Sequence, residues 1–237
     1  MFPDASQEFA SIVMVIGAIS VIYGGILAWS QKDPKALIAY ATLSHAGLLL
    51  IGVFCKSRGA FFGVPFLMSC QALSTGGVLM LLSHLYGKEA TIDLHGLGGF
   101  LRRAPQFSAF LLIFLLAGMG APVFGNFVGE WLILWGAFQE NLWITVAASL
   151  GIILGAIYSL WLFQRLCFGK RIHDVKDPSV SKFRPSELAI YSCITIILLV
   201  LGFYPGLIFE EIAPSSFSEI APLAGADESQ PLIRVRP

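Results

Sequence analysis

The sequence predicts an all-α protein: a polytopic transmembrane helical bundle of about six spans, the fourth of them discontinuous. Three observations carry that expectation. With 56% hydrophobic residues, 13% charged residues and a mean hydropathy of +0.77, there is too little polar surface to coat a soluble fold, so lipid is the solvent. Apolar stretches long enough to cross a hydrocarbon core recur at about 8–30, 36–54, 60–86, 106–138, 141–167 and 186–209, and they lack the period-two alternation of barrel strands. Basic residues sort by loop: Lys32, Lys35, Lys88, Arg102, Arg103, Arg165, Lys170, Arg171, Lys176, Lys182 and Arg184 follow spans one, three and five, against Lys56 and Arg58 after spans two and four. A miscounted span would scramble that alternation, so the basic loops face the cytoplasm or matrix and both termini lie opposite.

Residues 1–7 read as an interfacial lead-in in which Asp4 or Ser6 caps the first helix. No charged segment with a cleavage site precedes the first span, which then serves as its own insertion signal. Gln31-Lys32-Asp33-Pro34 is a tight turn with Pro34 as the first helical residue of span two, so spans one and two form an antiparallel hairpin. The connection 87–105 mixes Leu94, Leu97 and Phe100 with Asp93, Gly98, Gly99 and Arg102 and suits a segment lying along the interface. Residues 210–237, with Pro214, Pro222, Pro231 and the polar run Asp227-Glu228-Ser229-Gln230, read as a polar tail.

The fourth stretch carries the most information. Run as one helix, residues 106–138 would extend roughly 50 Å through a core about 30 Å thick. Its middle holds Gly118, Gly120, Pro122 and Gly125, the residue types that cost a helix most, so a hinge near 118–126 is expected. Unwound backbone at membrane depth persists only beside protein or a hydrated cavity, and in transporters it marks ion paths.

Ionisable and polar groups at depth are the candidate site. Glu130 follows the hinge with apolar residues on both sides, and a carboxylate there faces the bundle interior, pairs or protonates. It is either a proton relay or a permanently paired packing glutamate. His45, near the middle of span two, can pass a proton between its ring nitrogens or serve as a hydrogen-bonded core residue. Gln71, with Ser69, Ser74 and Thr75, puts a polar cluster in span three that orients water or bonds a neighbouring helix. Lys35 lies within a turn of a span end, where lysine commonly snorkels to the interface. His84 and His95 read as interfacial, and Glu187 as a helix N-terminal acid. Cys55, Cys70, Cys167 and Cys193 form no C-x-x-C pair and read as packing residues, which gives no metal site. Net charge of zero with no basic, aromatic-interleaved run gives no reason to expect nucleic acid.

In order, Met1-Phe2-Pro3-Asp4-Ala5-Ser6, Gln31-Lys32-Asp33-Pro34-Lys35-Ala36-Leu37-Ile38-Ala39-Tyr40 with Ser44-His45, Gly125-Asn126-Phe127-Val128-Gly129-Glu130-Trp131-Leu132-Ile133-Leu134, Ala156-Ile157-Tyr158-Ser159-Leu160 and Phe168-Gly169-Lys170 resemble the antiporter-like membrane subunits of NADH:quinone oxidoreductase (respiratory complex I), of the chain 4 or chain M type. The resemblance covers residues 1 to about 210. It implies paired inverted five-helix repeats, each with a broken helix, along a polar axis that moves protons during quinone reduction. This chain then corresponds to the second repeat plus a closing helix, the C-terminal half of a split subunit whose N-terminal half is a separate chain.

Under that resemblance Glu130 is the terminal axis carboxylate and His45 an axis histidine, while Gln71 stands where a histidine is usual and Pro34 where a branched aliphatic residue is. The proton path is expected through Glu130, His45, Gln71 and Lys35. No cofactor is expected on this chain, with flavin and iron–sulfur clusters on partner subunits. Other membrane-arm subunits and lipids are its expected neighbours, and the mitochondrial inner membrane its location, with a bacterial plasma membrane as the alternative. Two other functions compete: a subunit of a multi-subunit sodium/proton antiporter, and a transport-inactive subunit that seals the membrane arm.

Overall fold

The computed structural model describes residues 3–86, 94, 98–169 and 183–206. They form eight helices in chain order: α1 (Pro3–Ser30), α2 (Pro34–Phe54), α3 (Arg58–Tyr86), α4 (Phe100–Arg103), α5 (Pro105–Gly118), α6 (Gly125–Glu140), α7 (Leu142–Phe168) and α8 (Pro185–Phe203). Five are long and apolar enough to cross a membrane: α1 from Glu8, α2, α3 to Leu85, α7 and α8. The two short helices α5 and α6 occupy the expected fourth stretch, with the gap where glycine and proline concentrate.

Local chemistry explains most helix ends. Asp33 caps α2, its Oδ1 accepting from the Lys35 backbone N–H at 2.8 Å, and Pro34 starts the helix. Asn141 caps α7 by accepting from the Trp143 and Ile144 N–H groups. Helix α1 begins at Pro3, so Asp4 and Ser6 lie inside it rather than capping it. Helix α8 ends at Phe203, short of the expected 209, because Tyr204 precedes Pro205 and a residue before proline is driven out of the helical region. Of the 87–105 connection, α4 is helical with Phe100 buried against Phe107, and the Leu94 N–H donates to the Lys32 carbonyl at 2.9 Å. The rest of it through residue 97, including His95, and the tail 210–237 fall outside the described residues.

The bundle is built around α3. Along its first half α3 packs on α6 in antiparallel register, with Ala60 against Gly136, Gly63 against Leu132 and Leu67 against Gly129. Along its second half it packs on α5, Gly77 lying under the Phe114 ring. Helices α5 and α6 thus follow one another along a single partner and together make one crossing. Helix α1 lies tightly on α2, where a Cβ at Gly17 would stand 2.8 Å from the Gly47 carbonyl oxygen.

Two apolar cores fill the interior. One gathers Leu37, Leu81, Phe107, Leu111 and Leu162 toward the basic-loop end; the other gathers Met14, Ile51, Leu67, Ile133 and Ala148 toward the opposite end. Between them lies a layer of buried polar side chains: Ser44 and His45 from α2, Gln71 and Ser74 from α3, Asn126 and Glu130 from α6, and Ser159 from α7.

Candidate functional site

The helix break is chemically finished at its α5 end. Past Gly118 the chain turns left-handed at Gly120 (φ 74°). The Ala121 N–H returns to the Leu116 carbonyl at 3.0 Å and the Gly120 N–H to the Ala117 carbonyl at 3.1 Å. This is the Schellman pairing, which satisfies carbonyls a helix end otherwise orphans and calls for glycine at the left-handed position. Pro122 sits in the turn that follows, where its missing N–H costs nothing. Gly125 opens α6 pressed between two neighbours, a Cβ there falling 2.7 Å from Cys70 Sγ and 3.0 Å from Leu201 Cβ. The four hinge residues therefore have different duties, and Gly118, whose Cβ would meet only Ser74 Oγ at 3.8 Å, is the least constrained.

Glu130 is 3% exposed. Its carboxylate lies over Gly120, filling the space a side chain at that residue would need. Its Oε1 is 3.9 Å from His45 Nδ1, beyond hydrogen-bond range but within reach of one small closing motion. The opposite ring nitrogen, His45 Nε2, is 3.3 Å from the Tyr158 hydroxyl of α7. Three helices thus contribute a tyrosine, a histidine and a glutamate in series. Two small cavities meet at this histidine. One, of about 20 Å³, is lined by His45, Gln71, Ser74, Thr75, Tyr158 and Ser159 among others; the second, of about 10 Å³, is lined by Ser44, His45, Met119 and Glu130 among others. These volumes are on the scale of a single water each.

Gln71 reaches the same layer. Its Nε2 donates to Thr75 Oγ1 at 3.1 Å, and its Oε1 accepts from Asn126 Nδ2 at 2.6 Å, with Ser74 Oγ 3.3 Å from the same amide nitrogen. Asn126 is wholly buried, and its Oδ1 has no hydrogen-bond partner. Lys35 is not brought into this cluster: it is exposed at the first turn of α2, ten residues and roughly 15 Å along the axis from His45. Sequence reasoning missed Asn126 and Tyr158 as site members. Asn126 was detectable, since it precedes Glu130 by four residues and so shares its helix face. Tyr158 left no pattern, because nothing in the sequence of α7 says which α2 residue it meets.

Away from the layer, His84 Nε2 pairs with Glu187 Oε1 at 3.5 Å, tying the end of α3 to the start of α8, while Glu187 Oε2 accepts from the Arg184 N–H at 2.8 Å. Among the described residues no three His, Cys, Asp or Glu side chains gather as metal ligands.

Apolar spans enclosing a broken helix, with a carboxylate and an imidazole facing one another in a buried polar layer, define a membrane protein of the antiporter-like type. The chain belongs to the NADH:quinone oxidoreductase/Mrp antiporter transmembrane family, whose pattern matches residues 1–155. It is 37% identical over 205 residues to NADH-quinone oxidoreductase subunit M of Escherichia coli (strain K12), covering 86% of this chain and 40% of that protein. To subunit M of Rhodobacter capsulatus it is 32% identical over 215 residues, covering 91% and 42%. It spans about two-fifths of the length of these curated relatives.

Among solved structures, a chain of respiratory complex I from Thermus thermophilus with bound NADH matches at a TM-score of 0.85 and 30% identity, covering 94% of this chain and 47% of that one. A chain of the Mrp complex from Dietzia sp. DQ12-45-1b matches at 0.77 and 13%, covering 94% and 50%, a likeness of fold alone.

Proposed function

We propose that this chain is the proton-translocating C-terminal half of an antiporter-like membrane-arm subunit of NADH:quinone oxidoreductase, coupling electron transfer elsewhere in the complex to proton movement. The observation that carries the proposal is the series Tyr158, His45, Glu130 beside a broken helix. Protons enter the layer from polypeptide outside this chain, supplied by a separate N-terminal half. They pass through cavity water and His45 and leave by Glu130 toward the side opposite the basic loops. A carboxylic acid facing an imidazole can hand over its proton and recover it with no redox step, so this chain performs no electron transfer; flavin and iron–sulfur clusters belong to partner subunits. Gln71, held by Asn126, orients water without titrating. The bacterial relatives favour a plasma membrane over the mitochondrial inner membrane as its location.

A second reading, a subunit of a multi-subunit sodium/proton antiporter, is favoured by the fold match to the Mrp complex. Co-purification decides between them: flavin and iron–sulfur subunits accompany the chain in the first case and are missing in the second. The test of transport is Glu130→Gln in the assembled complex, with proton uptake into vesicles measured per NADH oxidised. The proposal requires that ratio to fall. An unchanged ratio in a fully assembled complex assigns the chain a sealing role instead.

A further inference from the structure

We propose that Tyr158 is a positioning residue: its hydroxyl holds His45 in the tautomer whose Nδ1–H faces Glu130, and it rotates as protons pass. The inference rests on the proton-path reading above and adds a residue and a duty to it.

The argument is one of donor and acceptor matching. An ionised Glu130 only accepts, a neutral imidazole has one donor and one acceptor nitrogen, and a phenol can do either. His45 Nδ1 looks toward Glu130 and Nε2 toward Tyr158. One arrangement satisfies all three groups: Nδ1 carries the hydrogen and donates toward the carboxylate, Nε2 accepts, and the Tyr158 hydroxyl donates to it. In the reverse tautomer a lone pair on Nδ1 faces the carboxylate and both its contacts are wrong. Tyr158 and Glu130 therefore select the same tautomer from opposite sides of the ring.

Proton arrival changes the pattern in a balanced way. When neutral Glu130 gives its proton to Nδ1 of a reverse-tautomer ring, or when cavity water delivers one to Nε2, His45 becomes an imidazolium that donates from both nitrogens. Tyr158 must then accept, and its own O–H needs another direction. The cavity shared by Tyr158, Gln71, Ser74, Thr75 and Ser159 supplies one, with room for a water. Tyr158 is 3% exposed, so no bulk solvent competes for its hydroxyl. A tyrosine kept only to fill the bundle would need its ring and not this oxygen.

Tyr158→Phe keeps the ring and deletes the hydroxyl. In the assembled complex, proton uptake per NADH oxidised should fall roughly two- to tenfold, the size of one lost hydrogen bond, with subunit content unchanged. Infrared spectra of complex with ring-labelled histidine, the His45 signal isolated by subtracting a His45→Gln complex, should show one neutral tautomer in the parent and a mixture in Tyr158→Phe. Fluorotyrosine at 158, which restores a hydroxyl, should recover both the single tautomer and the proton yield. An unchanged tautomer signal and yield in Tyr158→Phe, in a complex where Glu130→Gln stops pumping, overturns the positioning role and leaves the proton path intact. Normal pumping in Glu130→Gln overturns the path itself, and this inference with it.

Discussion

Replacing Gly120 by alanine separates the two duties assigned to that residue. At φ 74° an alanine is held left-handed, at a cost of about 1–2 kcal/mol. Its methyl would also stand 2.8 Å from Glu130 Cδ, where ordinary contact begins at 3.4 Å, so the carboxylate must retreat by at least about 0.6 Å. At an effective dielectric constant near 20, a charged pair about 4 Å apart interacts by roughly 4 kcal/mol. A shift of that size alters this by only about 0.5 kcal/mol, so the backbone decides the stability and the displaced carboxylate decides the transport. One to two kcal/mol corresponds to a factor of about 5–30 in the folded population.

The assay heats the detergent-solubilised complex and follows retention of this chain, alongside proton uptake per NADH oxidised. Gly120→Ala should be lost at lower temperature and pump less. Gly118→Ala, whose methyl meets only Ser74 Oγ at 3.8 Å and which improves helix propensity, should be retained as well as the parent. Because Gly118 also lines a cavity, that control is read for heat resistance alone. Equal heat resistance and equal pumping in Gly120→Ala, or equal loss in both variants, would refute the reasoning.

Asn126→Leu removes the donor to Gln71 Oε1 and strands a buried acceptor, which costs about 1–3 kcal/mol, offset in part by loss of the orphaned Asn126 Oδ1. The double variant Asn126→Leu with Gln71→Leu should recover part of that loss in the same heating assay, and strict additivity would argue against the amide pair. Lys35→Ala should leave the proton yield unchanged and stability within about 0.5 kcal/mol, since Lys35 lies exposed at the α2 terminus; a reduced yield in vesicles would extend the path to that residue.

The spans were legible because lipid demands long uninterrupted apolar helices, and the break because glycine and proline at depth have few other uses. The burial of Glu130 and His45 followed from the cost of exposing them to lipid. Their partners were less accessible. Periodicity assigns residues to a face of one helix, which is enough to couple Asn126 to Glu130, but the meeting of Tyr158 with His45 depends on how α7 is set against α2. Lys35 illustrates the converse: sequence proximity to an axis motif placed it with His45, yet ten helical residues separate them along the bundle. The hinge glycines looked alike in sequence because composition records what a residue permits; only the neighbours of each tell whether that permission is used for a left-handed turn, a tight crossing or an open wall.

The break also determines where Glu130 stands. Between Phe114, which lies over Gly77, and Gly129, which lies against Leu67, the fourth crossing uses fifteen residues while α3 uses ten. As a continuous helix those five surplus residues would carry α6 roughly 7 Å further along α3 and turn it by about 1.4 helical turns. Glu130 would then stand beyond the level of His45 and on another face of its helix. Ser74 makes the compression visible from the side, lying 3.3 Å from Asn126 Nδ2 and close to Gly118 as well. Unwinding at Gly120 through Phe124 therefore resets both the height and the phase of α6, returning its polar face to the layer that α2, α3 and α7 supply. The same turn leaves bare backbone at Gly120 as the floor on which the carboxylate rests. Discontinuity and site are thus one structural device, in which the residue that lets the helix end is also the one that makes room for the group the second half-helix delivers.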